Sequence, residues 1–370
     1  MAEARPLKVA IIHDWLYGGG AERVVEQLHK LYPEAPIYTS YCSPEWRQRL
    51  DNKVVTGWLQ WWLFAKLRRF IPFLRIWWFT HLDLHGYDLV ISSSGNGEAR
   101  GVKAPKGTLH ISYCHSPVHF YWRHYDQYLR QPGFGIFNPP ARLGLRLLVG
   151  PLRKWDYKAA QRADYVIANS SHIQADIKQF YGRDSVVIHP PVDIERFKGA
   201  KAPARDTFIT VGRQVPFKKT DVIIEAFNQL KLPLSVIGRG PEHERLRALA
   251  GPTVTFHDNV SDQEMPTYIA GAKAFIFGSF EDFGVAPVEA MAAGTPVIAL
   301  RAGGALDYVE PGKTGQFFDE QTVESLVGAL KNFNENEFNP EIIEKSAFGF
   351  SDSVFRDKIN RFVSSVIARR

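Results

Sequence analysis

The chain of 370 residues holds only two cysteines, Cys42 and Cys114. Two cysteines build no disulfide framework, so a reducing compartment is expected. No apolar run approaches the ~18 residues of a membrane-crossing helix. Met1 to Lys8 is polar and only Val9 to Ile12 follows as an apolar run, so no secretory leader is expected. No internal repeat of 20 to 50 residues and no low-complexity tract occurs, which sets aside solenoids and disordered tails. The composition is that of a globular protein, 45% hydrophobic and 23% charged, and the length suits two domains.

Acids are missing from two long segments. Asn52 to Leu82 has none and carries Lys53, Lys66, Arg68, Arg69 and Arg75. Gln127 to Trp155 has Asp126 just before it and none within, and carries Arg130, Arg142, Arg146, Arg153 and Lys154. The chain's net charge is +6 and these segments supply +10, so the rest sums to −4. Basicity confined to patches seeks an anionic partner. The first segment also holds Trp58, Trp61, Trp62, Trp77 and Trp78, and Pro72 divides it into two helical pieces. Tryptophan beside Lys and Arg suits the headgroup layer of an anionic membrane, where Trp58, Trp61, Trp62, Lys66, Arg68, Arg69, Arg75, Trp77 and Trp78 would lie. Packing of the aromatics on a core or against a partner is the alternative. Single-stranded nucleic acid is a third reading, but no RNA- or DNA-binding motif accompanies it and nucleic acid is not expected as a partner. Arg142 to Trp155 reads as a second basic amphipathic piece, and Trp155 to Arg162 as a further helix.

Strand and helix signals alternate along the whole chain, as in an α/β protein with parallel sheets. Lys8 to Ile12 reads as a first strand, then a loop from His13, then Gly18-Gly19-Gly20 opening a helix. Such a glycine cluster either admits a phosphate or sugar or makes a tight turn. His115 follows a strand ending at Cys114, a position facing a ligand or serving only to pack. Arg213 and Lys218 follow the strand Thr207 to Val211; five residues apart, they can clamp a diphosphate or stand as surface cations. Ser261 and Glu264 form a capping-box pattern. Ser279 to Pro296 reads strand, loop, helix, strand. Glu281 falls in the loop, Pro287 suits the first helical position, Glu289 the first turn and Gly294 the residue past the end. Phe283, Gly284 and Val285 offer backbone N–H groups at the helix start. Two carboxylates beside an anion-binding helix start suit a ligand with both hydroxyls and phosphates.

Glu281-x7-Glu289, with Phe-Gly between and Glu-Ala-Met-Ala-Ala-Gly-Thr-Pro-Val-Ile after, resembles the signature of the family 4 retaining glycosyltransferases. That resemblance implies the GT-B fold, two Rossmann-like domains facing across a cleft. It divides the chain into an acceptor-side domain at 1–192, a nucleotide-sugar domain at 193–345 and a terminal helix at 346–370 that crosses back. It implies transfer of a sugar with retention. Arg213 and Lys218 would stabilise the departing diphosphate. Glu289 would take the ribose hydroxyls, and Glu281 the sugar hydroxyls. The backbone of Phe283 to Val285 would hold sugar or phosphate. His115 would contact the sugar, with Gly19 and Gly20 leaving room. Asn259 and Val260 would lie near the nucleobase. The family's usual Gly-Arg-x-x-x-x-Lys-Gly ends here in Lys219 instead of glycine. No Asp-x-Asp occurs, so neither a metal nor another cofactor is required. The stretch Ser112 to Trp122, with His13-Asp14-Trp15, is most similar to O-antigen mannosyltransferases. This implies GDP-mannose as donor, a lipid-diphosphate-linked glycan as acceptor, and a cytoplasmic, peripheral place on the inner face of the cell membrane. A soluble transferase with another donor, a nucleotide-sugar 2-epimerase and a non-enzymatic binder are the alternatives.

Overall fold

The computed structural model describes residues 7–67, 71–130, 135, 138–202 and 204–370. The chain forms two compact units, one of residues 1–190 with 358–370 and one of 191–357.

The first unit contains β1 (Val9–His13), β2 (Ile37–Thr39), β3 (Val54–Thr56), β4 (Leu89–Ser94), β5 (Leu109–Cys114), β6 (Tyr165–Ala168) and β7 (Val186–Val187). All pair in parallel, in the order β3-β2-β1-β4-β5-β6-β7. β1, β4 and β5 are buried at every residue. That burial explains their near-continuous apolar runs, since a parallel sheet is covered on both faces. The strand order reverses between β1 and β4, whose register matches His13 with Ser93. The carboxyl edge at such a switch point is where open α/β sheets bind ligands.

The second unit contains β8 (Thr207–Val211), β9 (Leu234–Ile237), β10 (Val254–His257), β11 (Ala272–Phe277), β12 (Val297–Leu300) and β13 (Gly315–Phe318). Their order is β10-β9-β8-β11-β12-β13, again parallel, with the reversal between β8 and β11. Alternation along β11 divides the core. Phe275 and Phe277 pack with Val288 and Met291, whereas Ala274 and Ile276 pack with Ile223, Phe227 and Leu326.

Local signals act largely as chemistry dictates. Ser170 Oγ accepts from the Ile173 N–H at the start of Ser171–Tyr181. Ser261 and Glu264 form the reciprocal capping box, one turn ahead of the helix Met265–Ala270. Pro72 begins the helix Pro72–Thr80, separating it from Trp62–Leu67. One reading is corrected. Asn138–Ala160 is a single helix that runs through Pro151, not two pieces meeting at Trp155. The proline forfeits one backbone bond, while Val149, Leu152, Asp156 and Ala159 keep one face of the helix buried. At the carboxyl terminus the Arg370 guanidinium donates to the Gly107 and Thr108 carbonyls and pairs with Asp164.

Candidate functional site

The carboxyl ends of β8 and β11 lie side by side in the second unit. Beyond β8 the chain passes Gly212, Arg213 and Gln214, then a 3-10 turn Pro216–Lys218. Beyond β11 it passes Gly278, Ser279 and Glu281. A pocket is lined by Gly212, Gln214, Lys218, Thr220, Gly278 and Ser279. The Lys218 ammonium pairs with the Glu281 carboxylate, which also accepts from Ser279 Oγ at 2.6 Å. The Arg213 guanidinium is exposed and has no partner among the described residues. Of the two expected cations, one is presented and one is held.

Lys219 adopts φ 55°, ψ 32°, the left-handed conformation. Glycine takes it freely and a side chain takes it at a cost of roughly 1–2 kcal/mol. The turn at Lys219 is thus one that a glycine would adopt without strain.

Gly284 has φ 86° and ends the loop, and the helix Val285–Ala292 begins there. A Cβ at Gly284 would stand 2.8 Å from the Phe277 ring and 2.9 Å from Tyr308 Oη. The helix thus begins two residues earlier than its proline suggests. Pro287 is its third residue, where its N–H would have had no helical acceptor. Glu289 is accordingly the fifth residue, half-buried in the second turn and not the first. Gly294 follows the helix with φ 70°, as expected. The N–H groups of Gly284 and Val285 meet no acceptor among the described residues. Gly303 and Gly304 back this loop. The Gly304 N–H donates to the Glu281 carbonyl at 2.9 Å, and a Cβ on either glycine would overlap the backbone of Glu281 or Phe283.

Gln214, which sequence reasoning passed over, ties the loops together. Its side chain donates to the Gly238 carbonyl at 2.6 Å and faces His243 Nδ1 at 2.7 Å. Its backbone N–H donates to Arg239 O, and its carbonyl accepts from the Glu242 N–H. Only the run Gly212-Arg-Gln and the glycines Gly238 and Gly240 hinted at this close approach. Asn259 is exposed in the loop after β10, and Val260 is half-buried and packs against the core.

In the first unit, Gly20 opens the helix Gly20–Leu31 with Gly19 as its cap. The buried Glu22 carboxylate accepts from the Gly18 N–H at 3.0 Å and holds this loop. His13 is the last residue of β1 and not a loop residue. Its Nδ1 lies 2.9 Å from the Ser93 carbonyl and 3.2 Å from Ser93 Oγ. Ser93 Oγ lies 2.8 Å from His115 Nε2. Burial, with His13 and Arg100 nearby, holds His115 down at about 3, so it is neutral near neutrality. Asp14 was also unforeseen. Its buried carboxylate accepts from Ser94 Oγ and from the N–H groups of Gly95, Asn96 and Ala99, and so folds the loop after β4.

The aromatic basic segment divides by exposure. Trp61, Trp62 and Trp77 are 56%, 58% and 52% exposed, and Trp58, Phe73 and Leu74 are also open. Lys66 lies over the Trp62 ring. Arg68 and Arg69 fall outside the described residues. Two expected surface residues turn inward. Trp78 is 8% exposed in the core, and Arg75 is 5% exposed, paired with buried Glu98 and stacked on Trp15. The helical period carries these two to the face opposite Trp77 and Phe73. On Asn138–Ala160, Leu143, Leu147 and Leu148 are exposed. No described helix is long and apolar enough to cross a membrane.

Two doubly wound parallel sheets, each with polar loops gathered at its switch point, define a protein of two Rossmann-like units. The model of Glycosyltransferase Family 4 matches residues 18–196, and that of Glycosyl transferases group 1 matches 191–348. The chain belongs to the family 4 glycosyltransferases. It is 29% identical over 199 residues to a GDP-mannose-dependent alpha-(1-6)-phosphatidylinositol monomannoside mannosyltransferase of Mycolicibacterium smegmatis, covering 45% of this chain and 52% of that one. It is 30% identical over 187 residues to D-inositol 3-phosphate glycosyltransferase 2 of Catenulispora acidiphila, covering 41% and 44%. The chain thus spans about half the length of the curated relatives it matches. Among solved structures it resembles sucrose-phosphate synthase from Thermosynechococcus elongatus, with TM-score 0.73 and 17% identity over 99% of this chain and 100% of that one. It also resembles Anabaena HepE in complex with UDP, with TM-score 0.68 and 20% identity over 97% and 100%. These likenesses show the GT-B fold.

Proposed function

We propose that this protein transfers a hexose from a nucleotide sugar, with retention at the anomeric carbon. The observation that carries the reading is the second unit's switch point. An exposed arginine and an ammonium held by a carboxylate stand in the loops after β8 and β11, and unbonded N–H groups at a helix start follow the same β11 loop. A departing nucleoside diphosphate gains negative charge, and fixed donors stabilise that charge without reorganising. In this reading Arg213 and Lys218 take the diphosphate. An ammonium has three donors, so Lys218 serves a phosphate while bound to Glu281. Glu289 takes the ribose hydroxyls, Glu281 the sugar hydroxyls, and the backbone from Phe283 to Val285 the sugar or phosphate. Asn259 and Val260 border the base. His115 bonds the transferred sugar, with Gly19 and Gly20 giving access. The charge is met by cations and N–H groups, so the reading needs no metal.

GDP-mannose is the favoured donor, because a relative's name specifies it. The acceptor is a lipid-diphosphate-linked glycan in polysaccharide or O-antigen synthesis. The open tryptophans and the acid-free segments suit work on the anionic inner face of the membrane. A second donor class is favoured by one observation, the UDP bound to a protein of the same fold. Nucleotide release from GDP-, UDP- and ADP-sugars, with a lipid-diphosphate glycan extract, tests the reading. GDP release from GDP-mannose supports it. Release from another donor removes the mannose assignment, and binding without release leaves a binder.

A further inference from the structure

The hydrogen atoms at the first unit's switch point can be assigned one by one. The Ser93 carbonyl can only accept, so His13 Nδ1, 2.9 Å away, carries a proton. That nitrogen therefore cannot accept from Ser93 Oγ. Ser93 is fully buried, and its hydroxyl has two neighbours among the described residues, His13 Nδ1 and His115 Nε2. His115 Nε2, at 2.8 Å, is the acceptor that remains for the Ser93 O–H. A buried hydroxyl that donates to nothing costs about 1–3 kcal/mol. The opposite arrangement, with the proton on His115 Nε2, incurs that cost. His115 Nδ1 has no bonded partner among the described residues and is not among the buried unsatisfied atoms, so it is the ring nitrogen open to a ligand.

We propose that Ser93, itself oriented by His13, is a positioning residue that fixes His115 as the Nδ1–H tautomer, so that the open nitrogen is a neutral hydrogen-bond donor. In water a neutral histidine favours the other tautomer, so the relay imposes a choice that the free side chain would not make. The consequence is functional. His115 gives a hydrogen bond to a sugar oxygen and does not take a proton from the acceptor. A bonded chain from His13 through Ser93 to His115 polarises in one direction and strengthens that donor. The low value at which burial holds His115 agrees with a neutral ring. The role given to His115 rests on the proposed transferase reading; the tautomer does not.

Nitrogen-15 NMR of histidine-labelled protein at pH 7 tests this directly, with His115→Asn used to assign the resonance. The wild type should show His115 protonated at Nδ1 only, and Ser93→Ala should move the proton to Nε2. A wild-type ring protonated at Nε2, or a proton that stays on Nδ1 in Ser93→Ala, overturns the proposal. An amide isostere gives a second, kinetic readout. Asn places its NH2 near the Nδ1 position and Gln places it near Nε2. His115→Asn should keep a kcat/KM about tenfold or more above His115→Gln, and equal loss in both contradicts the donor role. If the wild type shows Nδ1–H yet no donor sugar is turned over, the transferase reading fails and the tautomer assignment stands.

Discussion

The Lys218 ammonium and the Glu281 carboxylate join the loop after β8 to the loop after β11, across the point where the strand order of the second unit reverses. Both side chains are about four-fifths covered, and Ser279 Oγ bonds the same carboxylate oxygen. The pair therefore sets the position of each loop as well as its charge. Glu281→Gln keeps the shape and removes the charge. It should raise the KM for the donor and lower kcat/KM by about 10²-fold or more, because a misplaced cation stabilises less of the leaving charge. Steady-state kinetics check this.

Lys219 occupies a left-handed conformation that its side chain disfavours. Lys219→Gly relieves about 1–2 kcal/mol of strain and restores roughly 0.5–1 kcal/mol of unfolded-chain entropy. The net expectation is a second unit stabilised by about 0 to 1.5 kcal/mol. Urea unfolding monitored for that unit reads it as a higher midpoint.

Exposure separates the tryptophans into two groups. Trp61→Ala with Trp62→Ala and Trp77→Ala should abolish flotation with anionic liposomes and leave the unfolding midpoint within about 0.5 kcal/mol of wild type. Trp78→Ala should cost about 3 kcal/mol or more, because a buried ring leaves a cavity. Its indole also covers Gly57. Flotation unchanged in the triple variant would remove the membrane reading.

Two buried imidazoles and one buried carboxyl set opposing pH dependences. Burial holds His110 down at about 4 and His115 down at about 3. Unfolding lets each take a proton below about 6.5, so stability is lost as pH falls from there. Burial pushes Glu98 up to about 7, against the pull of Arg75. Its folded form keeps a proton that the unfolded chain releases above about 4.5, so this group weakens the fold as pH rises from 4.5 to 7. Two imidazoles outweigh one carboxyl, and the unfolding midpoint should rise between pH 4.5 and 6.5. His110→Gln should flatten that rise, and Glu98→Gln should steepen it.

The parallel sheets were legible because buried strands read as apolar runs such as Val9 to Ile12 and Ala274 to Phe277. Glu281 was legible because Gly294 and Pro296 close the helix that follows its loop. What escaped was tertiary. A single-residue polar hub such as Gln214 or Asp14 leaves no periodic trace, since its partners come from the segments that follow β9 and from the end of β4 and the loop after it. Pro287 tolerates several first-turn positions, so it left Glu289 two helix positions too early, and Gly284 fixes the start. Arg75 and Trp78 were misread because composition shows what a segment carries and not which face the core takes.

Titration calorimetry of GDP and UDP against the wild type, Arg213→Ala, Lys218→Ala and Glu289→Ala reads the nucleotide site itself. At least one nucleotide should bind the wild type, and each change should weaken it about tenfold or more. Trp61→Ala should bind it unchanged. Nucleotide binding that survives all three changes at wild-type affinity would place the nucleotide elsewhere and remove the roles given to Arg213, Lys218 and Glu289.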